Sequence, residues 1–318
     1  MMQVARLLLG VVISFMSLWF LLNGFLASEN IVHITQKVKS IDNMWASFAF
    51  VSLILSYPLN ALRLKYIINI EGSIACRFYK VLPIVWVSSF LSLIAPSAAF
   101  SDGIRATLLR SANVSNFSLA IRAVLVDRGV GLTYTLCLAG LLLLVLPVNI
   151  NLGLNNFFGL IFLVFFAGIW VVISFGANVL KKIQLFMWLR NLFNDMHRLM
   201  TDPKLIVIFL VFAVLNTLIA ALSMWFIARG FLVNTGFLIF FLITPVILIV
   251  NNLPIFYQGF GGREAAMLLA FGDSFPGMPP SLIITISLVS GVAMMISAFL
   301  GSLFLPFLFL QKNSLRIL

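Results

Sequence analysis

Apolar runs long enough to cross a membrane recur along this 318-residue chain and limit the folds open to it. Hydrophobic residues make up 62% of the chain and charged residues 9%, whereas a soluble domain has roughly 25% charged residues. The runs are continuous rather than alternating, which excludes a β-barrel. They lie at 7–26, 44–62, 129–147, 157–176, 205–228 and 281–311. Because about 20 apolar residues span the hydrocarbon core as a helix, the sequence predicts an all-α polytopic membrane protein.

The placement of Lys and Arg predicts the orientation of these helices. Basic residues cluster in the connections 63–80, 101–128 and 177–204 and at the C-terminus, whereas 148–156 carries no charge. Cytoplasmic loops are enriched in Lys and Arg, so this rule explains the net charge of +11 without any nucleic-acid partner. We therefore expect a multi-pass protein of the bacterial inner (plasma) membrane, with both termini in the cytoplasm and 148–156 outside.

This orientation requires two segments to enter the membrane and return. If 63–80 and 101–128 are both cytoplasmic, the apolar piece between them forms a re-entrant hairpin, at about 81–110. Its first limb, 81–95, would be about 22 Å of helix, less than the hydrocarbon core of about 30 Å. The same argument predicts a second hairpin, at about 235–271. The expectation is one integral membrane domain, 1–318, with about six to eight transmembrane helices.

The two predicted hairpins share a spacing of residues. In each, a proline is followed seven residues later by a glycine and nine residues later by an arginine. The matching residues are Pro96, Gly103 and Arg105 in the first hairpin and Pro254, Gly261 and Arg263 in the second. Proline ends a helix and glycine permits a turn, so Pro96 and Pro254 are the predicted hairpin turns. Opposite orientation of the copies predicts an inverted repeat, in which broken helices meet near the midplane, as in many transporters.

The second hairpin predicts a seat for an anion at the start of a helix. Gly261 and Gly262 would open that helix, whose free N–H groups suit an anion, and Arg263 adds a planar fork that matches phosphate or carboxylate. A second interpretation is that Arg263 serves only to neutralise Glu264 or another acid. In the first hairpin, Ser101 or Asp102 is a possible helix cap.

Three further charged residues are candidates for the same site. Arg105 either binds an anion or extends to water at the interface, and Asp127–Arg128 either joins the site or marks a solvated helix end. Charges at membrane depth cost roughly 2.5–3.5 kcal/mol, which favours a functional reading. The two histidines, His33 and His197, have no ligand spacing around them, so neither a metal nor another cofactor is expected.

Three stretches of the chain resemble a known family. They are "APSAAFSDGIRATLLR", "VLVDRGVGL" and "NNLPIFYQGFGGREAAMLLAF". They are similar to the transmembrane domain of the lysylphosphatidylglycerol synthase family, described as flippase-like. The resemblance implies a membrane protein that moves or holds a charged lipid, and it points to Arg105, Asp127, Arg128, Gly261, Arg263 and Glu264. The first turn has fewer glycines than the family pattern, and Asp127 stands where Glu is commoner. We expect a stand-alone member without the soluble aminoacyl-transfer domain.

These observations favour a lipid translocase over an enzyme. Its expected ligand is an anionic phospholipid or a lipid-linked saccharide, whose phosphate Arg105 and Arg263 would hold in a midplane cavity. No phosphate-binding loop for ATP occurs. One alternative is an intramembrane enzyme acting on a lipid phosphate or a polyprenyl-linked sugar, which the nine scattered acidic residues support poorly. Another is a non-catalytic scaffold for enzymes of a lipid pathway.

Cysteine labelling tests the predicted topology. Single cysteines placed in 148–156 or 272–280 should react with a membrane-impermeant maleimide in intact cells, because both segments are expected outside. A cysteine placed in 177–204 should react only after the membrane is opened. Labelling of 177–204 from outside would show that the charge argument fails for this chain.

Overall fold

The computed structural model describes residues 40–71, 76–93, 98–111, 116–145, 155–180, 187–252, 256, 259–271, 278–306 and 308. Within these ranges the chain forms α-helices and one short 3-10 helix, Leu300–Phe304, and no strand. The helices are α1 (Asn43–Glu71), α2 (Phe78–Ser92), α3 (Ala98–Ser111), α4 (Phe117–Val145), α5 (Asn155–Leu180), α6 (Met187–Thr201), α7 (Pro203–Gly230), α8 (Phe237–Asn252), α9 (Gly262–Phe271) and α10 (Pro280–Phe299). The prediction of an all-α polytopic membrane protein is confirmed.

Five of the described helices are long and apolar enough to cross a membrane. They are Asn43–Ile70, Phe117–Val145, Phe157–Ala177, Pro203–Gly230 and Pro280–Phe304. Each contains one of the predicted runs or most of it, whereas the first predicted run, 7–26, lies outside the described residues. Two helices extend at least nine residues beyond their predicted runs, because α1 continues to Glu71 and α4 already begins at Phe117. Asp127 and Arg128 therefore lie inside α4, and the interpretation of this pair as a solvated helix end is wrong.

The order of helix lengths occurs twice along the chain. A long helix, two short helices and another long helix form α1–α4, and the same order returns in α7–α10. Neither predicted hairpin is one continuous helix: α2 ends at Ser92 before α3 begins at Ala98, and α8 ends at Asn252 before α9 begins at Gly262. The two short helices of each pair contact each other. The predicted turn residues Pro96 and Pro254 lie outside the described residues.

The chain divides into two compact units. The first unit contains Met1–Ser56, Ala139–Leu160 and Thr217–Ser297, and the second contains Tyr57–Leu138, Ile161–Asn216 and Ala298–Leu318. The pair α8 and α9 belongs to the first unit, where the rings of Phe240 and Phe271 pack at 5.2 Å. The pair α2 and α3 belongs to the second unit.

The second unit has an extended apolar core. Leu64, Ile84 and Phe209 are among its fully buried side chains. Trp86 on α2 lies between the rings of Tyr57 and Phe304, at centroid distances of 4.8 Å and 5.3 Å. Lipid tails are as apolar as these side chains, so the association of such helices rests on close packing rather than on exclusion of water.

The two glycines that the repeat predicts to be equivalent have different backbone roles. Gly261 has φ +84° and precedes α9, and Gly259 has φ +79° in the same turn. Gly103, by contrast, is the sixth residue of α3 and is not a turn residue. The equivalence is wrong because α3 begins upstream of Gly103, at Ala98. Ser101 and Asp102 lie inside α3 for the same reason, so neither caps it.

Replacement of each glycine by alanine should separate these two roles. Gly261→Ala is expected to lower the free energy of unfolding by about 1–2 kcal/mol, since an L side chain resists positive φ. Gly103→Ala is expected to raise it by about 0.5–1 kcal/mol, because alanine favours a helix interior and a Cβ at Gly103 meets no atom within 4 Å. Unfolding in detergent micelles measures both, and equal effects would contradict this assignment of the turn.

Candidate functional site

Basic side chains are distributed unequally between the two units. Among the described residues of the first unit, Arg229 and Arg263 are the only Lys or Arg. The described basic residues of the second unit are Arg63, Lys65, Arg77, Lys80, Arg105, Arg110, Arg122, Arg128, Arg190, Arg198 and Lys204. Each unit nevertheless contains a buried centre built from arginine, a carboxylate and serine.

In the first unit, Arg263 and Glu264 form a fully buried ion pair. Both side chains have 0% exposure, and Arg263 Nη2 lies 3.3 Å from Glu264 Oε1. Ser287 on α10 joins them, because its hydroxyl donates to Glu264 Oε1 at 2.7 Å and accepts from Arg263 Nε at 3.1 Å. The carboxylate and hydroxyl together compensate the positive charge, which is shielded from solvent.

Glu264 also caps the helix on which it lies. It is the third residue of α9, and its Oε2 accepts the backbone N–H of Gly261 at 2.5 Å. This is the reciprocal half of a capping box, in which an acidic side chain reaches back to the N-cap amide. The helix start that the sequence predicts as an anion seat therefore holds the protein's own carboxylate.

The guanidinium of Arg263 is enclosed on its remaining sides. It lies 5.1 Å above the centroid of the Phe260 ring, a cation–π distance. Its Nη1 donates to Met294 Sδ at 3.7 Å. A Cβ at Gly291 would overlap Nη2, so α10 accommodates the arginine at a glycine. This centre is a closed, neutral arrangement.

In the second unit, Arg63 and Asp127 form a bidentate pair. Arg63 Nε donates to Asp127 Oδ1 at 2.7 Å and Nη2 donates to Oδ2 at 3.0 Å. Asp127 is 2% exposed. Gly131, one turn further along α4, makes room for the pair, because a Cβ there would lie 3.2 Å from Arg63 Nη1. Both oxygens of Asp127 are thus engaged by Arg63.

Arg105 is the second arginine of this centre and has a weaker partner. Its Nε donates to the Ser88 hydroxyl at 2.9 Å, and its Nη1 lies 4.0 Å from Asp127 Oδ2. Its side chain is 14% exposed. A guanidinium has five N–H donors. Among the described residues, the only carboxylate paired with Arg105 is the one that Arg63 already holds in two hydrogen bonds.

Arg128 completes the centre at its more accessible side. Its Nε donates to Asp102 Oδ1 at 3.0 Å, and its side chain is 38% exposed, against 14% for Asp102. Arg63, Arg105 and Arg128 outnumber Asp127 and Asp102, so the cluster carries excess positive charge. Such a cluster can hold an anion in a fork of N–H donors. Within the described residues no group of His, Cys, Asp or Glu could hold a metal ion.

The structure groups most of the residues predicted from the sequence. It brings Arg105, Asp127 and Arg128 together in the second unit, and Gly261, Gly262, Arg263 and Glu264 together in the first. Gly262 permits close packing, since a Cβ there would approach Phe256 and Val250 at 2.6–2.7 Å. Gly103 is exposed on α3 and contributes no contact of this kind.

Sequence reasoning missed Arg63, Ser88 and Ser287. It assigned Arg63 to a cytoplasmic loop, although "LNALRLKYIINI" has apolar residues on both sides of the arginine. That pattern indicates a helix that continues past the charge. Ser88 and Ser287 lie in apolar helices and carry no local signal that distinguishes them from serines bonded to their own backbone.

Comparison with known proteins identifies the family. The family model for the lysylphosphatidylglycerol synthase transmembrane region matches residues 7–302 of the 318, and the chain belongs to this family. No curated protein and no solved structure matches the chain. The family places the chain in a membrane, lipid-related context.

Removal of one partner of the Arg263–Glu264 pair should be more damaging than removal of both. Arg263→Met or Glu264→Gln alone leaves an unpaired buried charge and is expected to lower the free energy of unfolding by about 3–5 kcal/mol. The double variant should recover most of that loss, because no unpaired charge remains buried and the amide oxygen introduced by Glu264→Gln still accepts from the Gly261 N–H.

Unfolding in detergent micelles, with Arg198→Gln as a control at an exposed arginine, measures these effects. Additive losses in the double variant would show that the two side chains do not act as a pair.

Proposed function

We propose that this member of the lysylphosphatidylglycerol synthase transmembrane family is a lipid translocase rather than an enzyme. Its cargo would be an anionic phospholipid or a lipid-linked saccharide, whose phosphate binds the arginine centre of the second unit. The observation that carries this proposal is Arg105, a largely buried guanidinium that shares its carboxylate with Arg63.

The chemistry of the centre favours a phosphate. Arg63 neutralises Asp127 and fixes its orientation, and Arg128 pairs with Asp102, so Arg105 supplies the remaining positive charge. A phosphate oxygen accepts charge-assisted hydrogen bonds from guanidinium, and low polarity around the centre strengthens them. The carboxylates are engaged by arginines, which argues against their acting as general bases.

The centre of the first unit offers a phosphate no direct access. Arg263 is fully buried. The Glu264 carboxylate already accepts hydrogen bonds from the Arg263 guanidinium and from the backbone N–H of Gly261 at the start of α9. An anion reaches Arg263 only after the Glu264 carboxylate leaves that position. Anion binding at Arg263 and Glu264 therefore stays a prediction that requires a second conformation.

The charge distribution supports a specific orientation in the bacterial inner membrane. Lys and Arg concentrate in 63–80, 101–128 and 177–204, and the positive-inside rule assigns these segments to the cytoplasm. We infer that both termini are cytoplasmic. Native Cys76 gives little background in a labelling test of this orientation, because it is 6% exposed and burial raises the pKa of its thiol.

Transport by Arg105 variants tests the proposal. The protein is reconstituted in vesicles of phosphatidylethanolamine and phosphatidylglycerol, and movement of fluorescent phosphatidylglycerol between leaflets is followed by dithionite quenching. Arg105→Ala should slow transport about ten- to a hundredfold, the equivalent of one lost charged hydrogen bond of about 1.5–3 kcal/mol. Arg105→Lys should restore little, because an ammonium does not reproduce a planar fork.

Arg110→Ala is the matched control, because it removes the same charge from the same helix at an exposed position. It should transport at the rate of the unaltered protein. Equal rates for Arg105→Ala and Arg110→Ala would reduce Arg105 to a structural residue. Chemically altered lipid in the same vesicles would instead indicate an enzyme, and absence of transport by the unaltered protein would favour a scaffold.

A further inference from the structure

An apolar groove lies in the second unit between α5 and the short helix α6. It has a volume of about 610 Å³, within the range of pockets that hold a small molecule. Side chains that line it include Val164, Phe165 and Val172 on α5, and Leu192, Phe193 and Met196 on α6. None of the described residues that line it is charged. The groove is separate from the arginine centre described above.

The groove is open on the side formed by the exposed face of α5. Only 11% of the α5 span is buried, whereas the other four spans are 28% to 50% buried. Val164, Phe165 and Val172 are each more than half exposed although they line the groove. A Cβ at Gly168 would meet no atom within 4 Å, so the floor of the groove is open space. Its apolar wall is therefore accessible along α5.

Two glycines beside the groove allow α6 to pack closely against α5 and α4. A Cβ at Gly176 on α5 would approach the Phe193 ring at 2.6 Å, and a Cβ at Gly129 on α4 would overlap the Met196 methyl. These glycines let the apolar face of α6 pack closely against its neighbours. The Arg122–Asp195 pair, with Nε and Oδ2 at 2.7 Å, adds a polar attachment between α4 and α6. The groove is thus held by packing on both sides.

The surroundings of the groove restrict what can fill it. Water is poorly suited to an apolar cavity because it finds no hydrogen-bond partners there. An empty groove forfeits the dispersion contacts of its walls. In a membrane, the abundant molecule of matching polarity is the hydrocarbon chain of a lipid.

α6 also offers a partner for a lipid head group. It is amphipathic, with Leu192, Phe193 and Met196 on its apolar face. Arg190 lies one turn before Phe193 and forms no ion pair with another described residue. An amphipathic helix with arginine on its polar side is suited to the boundary between head groups and acyl chains.

We propose that the α5–α6 groove binds one acyl chain of a phospholipid from the leaflet that contains α6, with the phosphate of that lipid at Arg190. This lipid is retained in a defined site, unlike the lipids that exchange freely around a membrane protein. The proposal does not require the protein to transport lipid.

Photocrosslinking in vesicles tests the site. The full chain is reconstituted in phosphatidylethanolamine and phosphatidylglycerol that contains phosphatidylglycerol with a diazirine in one acyl chain. Crosslinks should concentrate on peptides that contain Val164–Val172 and Leu192–Met196. Gly168→Phe should reduce them about tenfold or more, since a ring in the open floor of the groove displaces the chain at a cost of at least about 1.4 kcal/mol.

Val171→Phe is the matched control, because Val171 is an exposed position on the same helix outside the groove lining. It should leave crosslinking unchanged, and thermal unfolding in detergent should show both variants folded. Arg190→Gln should lower crosslinking of phosphatidylglycerol while the groove pattern persists. If Arg190→Gln has no effect, the head-group part of the proposal is overturned.

Three results would overturn the acyl-chain site itself. The first is crosslinking spread evenly around α5 and insensitive to Gly168→Phe. The second is a groove that becomes labelled only after residues 7–26 are deleted, which would assign it to that apolar run. The third is a dimer in detergent that Gly168→Phe dissociates, which would assign the groove to a second copy of the chain. Because none of these readouts measures transport, they are independent of the proposed translocase activity.

Discussion

A charge inside a hydrocarbon layer must carry its own compensation, and this requirement determines the arrangement of both polar centres. Arg63 lies within a membrane-spanning helix and Arg263 is fully buried. Each has a carboxylate within hydrogen-bond distance, Asp127 for the first and Glu264 for the second. Without that carboxylate, burial of the charged guanidinium would cost several kcal/mol. Gly131 and Gly291 provide the space, so helix packing and charge compensation impose a joint constraint.

The two centres differ in how completely the charge is compensated. In the first unit one arginine meets one glutamate, and a serine completes the hydrogen bonding. In the second unit three arginines share two aspartates; Arg105 has only a 4.0 Å contact to Asp127, and Arg128 is the most exposed of the three arginines. A closed neutral pair is suited to holding helices together. A cluster with excess positive charge is suited to binding an anion, and our functional proposal therefore rests on the second unit.

The sequence was sufficient for the fold class, for the positions of five long helices and for the breaks in the two predicted hairpins. Long apolar runs and proline-containing interruptions are local signals, and local signals survive tertiary packing. The residues that make up each centre could not be predicted from the sequence, because Arg63 and Asp127 are 64 positions apart and meet only through packing. The seven-residue spacing from proline to glycine gave one wrong prediction. It equated Gly103 with Gly261, although α3 begins before Gly103 whereas α9 begins after Gly261.

The helix α4 links the arginine centre to the groove within the second unit. Asp127 and Arg128 belong to the centre, and the next residue, Gly129, receives the methyl group of Met196, which lines the groove. The same turn of α4 therefore contributes side chains to the arginine centre, which is suited to a phosphate. It also packs against the wall of the groove, which is suited to a hydrocarbon chain. Phospholipids combine these two chemistries in one molecule. A rotation of α4 that changes how Asp127 is shared between Arg63 and Arg105 would therefore also change the packing of Gly129 against Met196 at the wall of the groove.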